Sequence, residues 1–196
     1  MTSLHMDHLL TRATCALVDL TDLARVGFRG SDSAGYLSER GFDLPQWPNQ
    51  SVRQADGCLV ARLSQTEYFV LGSLTDHGQR VADEEARWAL DHRPNYLLPR
   101  QDSHAWLQLS GPHISEVMAK LCGVDLRPEA FAPGAVAQTS VARLNAIVIN
   151  ATVGDLACFH LLADRCSLEY FSAVLLDAMA EFGGEPVALD MLLGSH

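Results

Sequence analysis

The feature that most constrains the fold of this chain of 196 residues is an internal repeat. The tetrapeptide Val-Ala-Arg-Leu occurs at residues 60–63 and again at residues 141–144, 81 positions later. Residues 28–30 match residues 109–111 at the same offset, and the Gly-x-Asp-Leu segment at residue 41 recurs at residue 123. One short match is chance, but several in the same order at near-constant spacing indicate a duplication.

Each copy has the pattern of a strand, a helix, two strands and a second helix. The first copy predicts strands at 24–29, 58–63 and 68–71, with helices after residue 31 and over 76–91. The second predicts strands at 105–110, 138–149 and 156–162, with helices after residue 111 and over 167–182. This β-α-β-β-α order, used twice, predicts an α+β fold with helices on one face of a mostly antiparallel sheet.

Capping residues, proline and glycine indicate where the helices are expected to begin and end. Ser31 and Gly111 are plausible N-caps, and Pro112 suits the first helical position because its missing N–H costs little there. Glycines are expected to end the helices, because glycine accepts the left-handed conformation. These are Gly41, Gly123 and the pair Gly183-Gly184.

The domain prediction follows from the duplication. Residues 14–184 are expected to form one pseudo-symmetric domain from two repeats, over about 14–92 and 104–184. A flexible N-terminal segment, 1–13, and a C-terminal tail, 185–196, flank it.

Composition excludes two classes of partner. With 14 basic and 24 acidic residues, the net charge of −10 disfavours nucleic acid, which requires clustered Lys and Arg. No apolar run approaches the roughly 20 residues of a membrane-spanning helix. The five cysteines are scattered and odd in number, which is typical of free thiols in a reducing compartment, so a cytoplasmic location is expected.

Motifs for catalysis and cofactor binding are absent from the sequence. It has no glycine-rich phosphate or dinucleotide loop and no Gly-x-Ser-x-Gly elbow. The compact cluster Cys158-x-His160 with Cys166 has no second ligand doublet, so core packing is expected instead of zinc. No catalytic, cofactor-binding or metal-binding residue is therefore assigned on this chain.

Several residues allow two interpretations. Asp43 and Asp125 form a tempting carboxylate pair, but each precedes Leu and a nearby Pro, which favours a turn role. Arg62 and Arg143 are twins in the repeat and are expected on strands, with packed stems. The tryptophans Trp47, Trp88 and Trp106 divide between core and interface.

A family resemblance follows from three blocks in the second copy. These are Cys122-Gly-Val-Asp-Leu-Arg-Pro128, Phe131-Ala-Pro-Gly134 and Val136 to Leu144 with its closing Val-Ala-Arg-Leu. They resemble the gamma subunit of heterotetrameric sarcosine oxidase. The segment from Leu17 to Gly30 resembles the opening of the broader superfamily of the glycine-cleavage T-protein, or aminomethyltransferase.

The resemblance implies a folate-binding-type fold and a subunit role. In that family the complex oxidatively demethylates sarcosine to glycine and passes the one-carbon unit to tetrahydrofolate. The resemblance also implies alpha, beta and delta subunits as partners. It places FAD, FMN, NAD and tetrahydrofolate on those other subunits, with none on this chain.

One departure from the catalytic relatives favours a non-catalytic role. They follow Leu-Asn with a glycine-rich turn and an acidic pair, whereas here Leu144-Asn145 is followed by four apolar residues. The alternatives are an autonomous folate-binding or aminomethyltransferase-like protein, with Asp155 or Asp125 in its cleft, and a regulatory ligand-binding module.

The connection between the two copies, from Trp88 to Trp106, is the candidate interface because no repeat match accounts for it. Interface cores favour its mixture of aromatic residues, leucines and arginine. We expect Tyr96, Leu97 or Leu98 to be substantially exposed, against the alternative that the segment only wraps the core. The predicted interface residues are Trp88, Tyr96, Leu97, Leu98 and Arg100.

Overall fold

The computed structural model describes residues 15–189, which cluster into two compact units. The first unit comprises residues 22–103 with 134–136, and the second comprises the rest of the described chain. The predicted N-terminal segment, 1–13, lies outside the described residues. No helix in the described part of the chain is long and apolar enough to cross a membrane.

The described residues form strands and helices with the following bounds. The strands are β1 (Ala16–Asp19), β2 (Arg25–Arg29), β3 (Gln50–Arg53), β4 (Leu59–Arg62), β5 (Glu67–Leu71), β6 (Tyr96–Pro99), β7 (His104–Ser110), β8 (Val136–Val141), β9 (Leu144–Asn150), β10 (Cys158–Asp164) and β11 (Glu185–Val187). The α-helices are α1 (Ser33–Glu39), α2 (Gln79–Arg87), α3 (Ile114–Ala119) and α4 (Leu168–Met179), and short 3-10 turns occupy Arg165–Ser167 and Ala180–Phe182.

The first unit is a five-stranded antiparallel sheet with two helices packed on one face. The strand order is β3-β4-β5-β2-β6. Alternate residues of the strands, such as Val26 and Phe28 of β2, point into a core that Tyr36 and Leu37 of α1 and Val81 of α2 complete. This core takes every second residue of the neighbouring strands as well, namely Val60 of β4 and Tyr68 and Val70 of β5.

The second unit is a six-stranded sheet in the order β11-β1-β7-β10-β9-β8. Strand β11 runs parallel to β1, whereas β1, β7, β10 and β9 pair antiparallel. The apolar stripes predicted for α3 and α4 are buried, as Val117 and Met118 of α3 and Phe171 and Leu175 of α4 illustrate. Packing of these stripes, and not the propensity of such short helices, accounts for their stability.

The two sheets repeat one topology, so the predicted duplication and the α+β class are confirmed. The order β3-β4-β5-β2 in the first unit corresponds to β8-β9-β10-β7 in the second. The next strand is exchanged: β6 lies between the two repeats and pairs with β2, whereas β1 precedes β2 in the chain and pairs with β7.

The predicted strand over 138–149 is wrong. It is two strands, β8 and β9, joined by a turn in which Ala142 and Arg143 have φ angles of 50° and 67°. Arg143 is therefore in an exposed turn, whereas its sequence twin Arg62 is on β4 as expected. The identical tetrapeptides do not occupy equivalent positions.

Several element limits also differ from the predicted ones. The N-caps are Asp32 and His113, not Ser31 and Gly111, so Pro112 precedes the helix. Gly41 and Gly183 follow their helices in the left-handed conformation, but α3 ends before Gly123, which does not have a positive φ. The helix predicted over 76–91 is the shorter α2. Strands β1, β3 and β6 were not predicted, and β11 lies in the segment expected to be a tail.

Candidate docking surface

Strand β6 is an outer strand of the first unit's sheet and contains three of the five predicted interface residues. Leu97 lies opposite Phe28 and packs against the core. Because side chains alternate along a strand, Tyr96 and Leu98 lie on the other face. Tyr96 is 54% exposed, so the expected exposure is confirmed for this residue, while Leu97 and Leu98 are half-buried.

A glycine and a buried hydrogen bond hold the chain where β6 begins. Gly30 has a φ of 147°, and a Cβ at this position would lie 1.9 Å from the carbonyl oxygen of Pro94. The backbone N–H of Asp32 donates to the same oxygen at 3.2 Å. The Ser33 hydroxyl donates to Oδ1 of Asn95 at 2.8 Å, with both side chains buried. The turn after β2 therefore sets where β6 starts.

Arg100, just beyond β6, is engaged within its own unit. Its Nη2 donates to Oε1 of Glu67 at 2.7 Å, and its guanidinium lies 5.3 Å from the centroid of the Phe69 ring. Both charged side chains are less than one-fifth exposed, so the ion pair is shielded from solvent more than a surface pair is. The pair fastens the end of β6 to β5.

Trp88, another of the predicted interface residues, faces the core of the first unit. It follows α2 directly, is half-buried and packs against the same core cluster as Leu97. Its indole nitrogen is buried with no hydrogen-bond partner in the described part of the chain. The connection thus divides: Trp88 and Leu97 face the core, and Tyr96 faces outward.

Two further exposed apolar side chains belong to the first unit. Leu90 is 67% exposed, and Trp47 is 59% exposed. Leu90 lies within the connection that the sequence singled out, but the predicted interface residues did not include it. The absence of a repeat match was the signal that pointed to this segment.

Cys158 and His160 are buried as the sequence predicts, whereas Cys166 is exposed, so core packing is wrong for that residue. His160 is 7% exposed, and its Nδ1 accepts a hydrogen bond from the indole N–H of Trp106 at 3.0 Å. No group of three or more potential metal ligands occurs among the described residues. Burial raises the pKa of the Cys58 thiol to about 12, which makes this thiol a poor nucleophile near neutral pH.

The two aspartates of the repeat are turn residues in different ways. The Asp125 carboxylate accepts the backbone N–H of Arg127 at 3.1 Å and pairs with its guanidinium at 2.6 Å. These hydrogen bonds lower the pKa of Asp125 to about 2. In the other turn, Gln54 bonds both the backbone N–H and the carbonyl of Asp43. The side chain of Asp43 is exposed.

The second unit contains a cavity of about 340 Å³. Its wall is apolar at Ala146, Ile147 and Leu162, and polar at Gln138 and Asn145; His104 and Thr139 complete the lining. None of these lining residues is a carboxylate, and Asp155 and Asp125, proposed above as cleft acids, are not among them. The cavity can hold a small molecule but presents no carboxylate for proton transfer.

The fold and the sequence together define the class of protein. The GCVT N-terminal domain family matches residues 1–192, so the chain belongs to that family. Among solved structures, aminomethyltransferase T of the glycine cleavage system from Bartonella henselae has the same fold. The TM-score is 0.68 at 16% identity, over 95% of this chain and 51% of the other.

Closer relatives narrow the assignment. The chain is 30% identical to sarcosine oxidase subunit gamma of Corynebacterium sp. strain P-1, over 91% of this chain and 86% of the relative. It is 28% identical to the same subunit from Arthrobacter sp. over equal shares. A chain of heterotetrameric sarcosine oxidase from Corynebacterium sp. U-96 superposes with a TM-score of 0.69 at 22% identity, covering 94% and 97%. The chain therefore belongs to the family of sarcosine oxidase gamma subunits.

Proposed function

We propose that this chain is the non-catalytic gamma subunit of a sarcosine-oxidase-type complex, which it joins through β6 and the segment around it. The complex would oxidatively demethylate sarcosine to glycine and pass the one-carbon unit to tetrahydrofolate. The near-full-length match to gamma subunits carries the proposal. Alpha, beta and delta subunits are the proposed partners, in a heterotetramer in the cytoplasm; five free cysteines are compatible with that reducing compartment.

The proposed division of labour puts FAD, FMN, NAD and tetrahydrofolate on the partner subunits. The sequence has no dinucleotide-binding glycine loop. Gly30 is needed for a structural reason instead, because the carbonyl of Pro94 lies where a side chain would be. The purified chain should therefore show no flavin absorbance and no oxidase activity. Flavin absorbance or oxidase turnover from the pure chain would reverse this assignment.

The docking surface is tested by removing side chains that face away from the core. Tyr96→Ala combined with Leu98→Ala should weaken assembly by about 2–4 kcal/mol if these residues are interface hot spots. The matched control is Val124→Ala with Val153→Ala, which removes exposed apolar side chains from the second unit. The measurement is the dissociation constant of the complex, alongside the free energy of unfolding of the lone chain. Unchanged affinity would show that these side chains are not in the interface, and a chain that no longer folds would show that they belong to the core.

The second candidate function is an autonomous folate-binding protein, which the cavity in the second unit favours. Its volume of about 340 Å³ is within the range of small-molecule sites. The lining has no carboxylate, which is the group that the sequence comparison expects in the cleft of a catalytic relative. Calorimetric titration of the pure chain with tetrahydrofolate separates the candidates: micromolar affinity supports the autonomous protein, and no heat supports the subunit.

A further inference from the structure

Strands β6 and β1 occupy equivalent places in the two sheets. Tyr96 of β6 pairs with Arg29, and Ala16 of β1 pairs with Ser110. Arg29 and Ser110 are matched positions of the repeat, 81 residues apart. The pairing therefore makes Leu97 the structural counterpart of Leu17, one residue further along each strand.

The outer edge of β1 is covered, and the outer edge of β6 is not. Strand β11 runs parallel to β1, with Leu17 opposite Pro186. The backbone N–H of Glu185 donates to the carbonyl of Cys15 at 3.1 Å just before β1. Among residues 15–189, no strand pairs with β6 on the side away from β2.

The position of Pro99 shows which backbone groups of β6 point outward. Pro99 has no N–H, so its pair with Val26 cannot exchange two hydrogen bonds and must be a non-hydrogen-bonded pair. Because the two kinds of pair alternate, Leu98 and Tyr96 bond β2. The N–H and C=O of Leu97 therefore point away from the sheet, as does the C=O of Pro99, which accepts a hydrogen bond from the Ser103 hydroxyl at 3.2 Å. At the equivalent place on β1, strand β11 lies beside Leu17.

We propose that an extended segment of a large partner subunit adds to the outer edge of β6 and runs parallel to it, as β11 runs beside β1. This inference rests on the proposed function and specifies how the docking surface is used. The added strand bonds the N–H and C=O of Leu97. Strand addition of this kind derives its affinity from main-chain hydrogen bonds and its specificity from alternate side chains.

Two features favour a partner strand over a second copy of this chain. Edge pairing across a two-fold axis makes the two β6 strands antiparallel, and the missing N–H of Pro99 leaves such a pair few donors. A strand of another sequence brings its own N–H donors, so it needs only one donor from this edge, which Leu97 supplies. The occupant is thus a segment of at least three residues with an apolar side chain on the face of Tyr96 and Leu98.

Amide hydrogen exchange at Leu97 tests this directly. The complex is isolated from its native host through a tag on this chain, and exchange is compared with that of the lone chain at residue resolution. We expect the Leu97 amide to exchange on the order of 100-fold more slowly in the complex. The Leu17 amide is the matched control, because β11 already covers its edge, and should be equally protected in both states.

A backbone substitution separates strand pairing from side-chain burial. Incorporating the α-hydroxy analogue of leucine at position 97 replaces the outward N–H by an ester oxygen and keeps the side chain. The dissociation constant of the complex should rise about tenfold, as expected for one lost hydrogen bond, while the lone chain loses only the stability that the weaker ester carbonyl of Tyr96 costs the pairing with Arg29.

The possible results separate a failure of strand addition from a failure of the proposed subunit role. A complex in which Leu97 exchange or the affinity of the ester is unchanged overturns strand addition but leaves the subunit role intact. Protection of Leu97 in the lone chain overturns it too, since another segment or copy of this chain would then cover the edge. If no large subunits accompany the tagged chain, the proposed function itself fails, and the inference fails with it.

Discussion

The tetrapeptide Val-Ala-Arg-Leu folds in two ways in this molecule. At residues 60–63 it is the extended end of β4, with Arg62 donating to the carbonyl of Gln65 at 2.8 Å. At residues 141–144 it is the turn between β8 and β9, with Ala142 and Arg143 at positive φ. Identical local sequence is therefore compatible with either state, and surroundings decide between them.

The two conformations of the tetrapeptide arise because the turns of the two hairpins lie at different positions in the sequence. In the first unit, Asp56-Gly57 turns the chain between β3 and β4, with the Asp56 carboxylate accepting the N–H of Cys58 at 2.9 Å. Asp-Gly is a strong hairpin-turn signal. The second unit has no such dipeptide between β8 and β9, so residues 142–143 form the turn.

Contacts elsewhere in the second unit fix that turn. The N–H of Ala142 donates to the carbonyl of Leu121 at 2.9 Å. The hydroxyl of Tyr170 on α4 donates to the carbonyl of Ala142 at 3.1 Å. Non-glycine residues at positive φ cost about 1–2 kcal/mol each, and these hydrogen bonds offset part of that strain.

The largest change in the free energy of unfolding is expected at a glycine whose positive φ is shared by both repeats. Gly30 and Gly111 both have positive φ, 147° and 130°. Gly30→Ala should lower the free energy of unfolding by about 3 kcal/mol or more, because it combines a glycine-only conformation with a clash at the Pro94 carbonyl. Urea denaturation measures the loss.

The control for this variant is a glycine five positions away. Gly35 is in α1, and a Cβ there meets nothing within 4 Å. Gly35→Ala should stabilise the chain by about 0.5–1 kcal/mol, since alanine is the better helix former. A loss at Gly30 no larger than about 1 kcal/mol would mean that the turn does not hold β6.

The twin arginines should respond to glycine with opposite signs. Arg62→Gly should cost about 2–3 kcal/mol, because it removes several hydrogen bonds to backbone carbonyls and places glycine in a strand. Arg143→Gly should stabilise by up to about 1 kcal/mol, because glycine relieves the positive φ. Both values come from the same denaturation series. Changes of equal sign would contradict the two conformations assigned to the repeat.

Much of the fold could be predicted from sequence because its signals are local. The stripes of α3 and α4 and the strands β4, β5, β7 and β10 follow apolar periodicity. The turn at residues 142–143 could not be predicted, because it depends on Leu121 and Tyr170, which are distant in sequence. Strands β1, β3, β6 and β11 contain only three or four residues each, too few to show a pattern, and are defined by the strands with which they pair.

The sequence could predict which segment contains the candidate docking surface, but not which of its side chains are exposed. The lack of a repeat match pointed to residues 88–106, and Tyr96 is exposed there. Composition could not show that Trp88 and Leu97 face the core or that Arg100 is paired with Glu67. Those features depend on the pairing of β6 with β2, which joins segments about 70 residues apart in the chain.

A smaller effect is expected from the hydroxyl that holds the turn of the second unit. Tyr170→Phe removes the donor to the carbonyl of Ala142 and should cost about 1 kcal/mol. Combining it with Arg143→Gly tests the coupling, because a relaxed turn depends less on that hydrogen bond. A double-mutant cycle measures it; strict additivity would show that the hydroxyl does not stabilise the strained turn.

The smallest effect concerns Asp125, where the two repeats differ in how the turn after the first helix is held. Arg127 lowers the pKa of Asp125 to about 2 in the folded chain, against about 3.9 when unfolded. A lowered folded-state pKa means that the stabilisation is present above pH 4 and is lost as the pH falls toward 2.

The free energy of unfolding should therefore fall less steeply between pH 4 and pH 2 in Asp125→Asn and Arg127→Gln than in the wild type. Because this ion pair is fully exposed, added salt should shrink the difference between the slopes. Identical slopes for all three proteins at low salt would show that the carboxylate contributes nothing to the second turn, which would then resemble the turn that Gln54 holds.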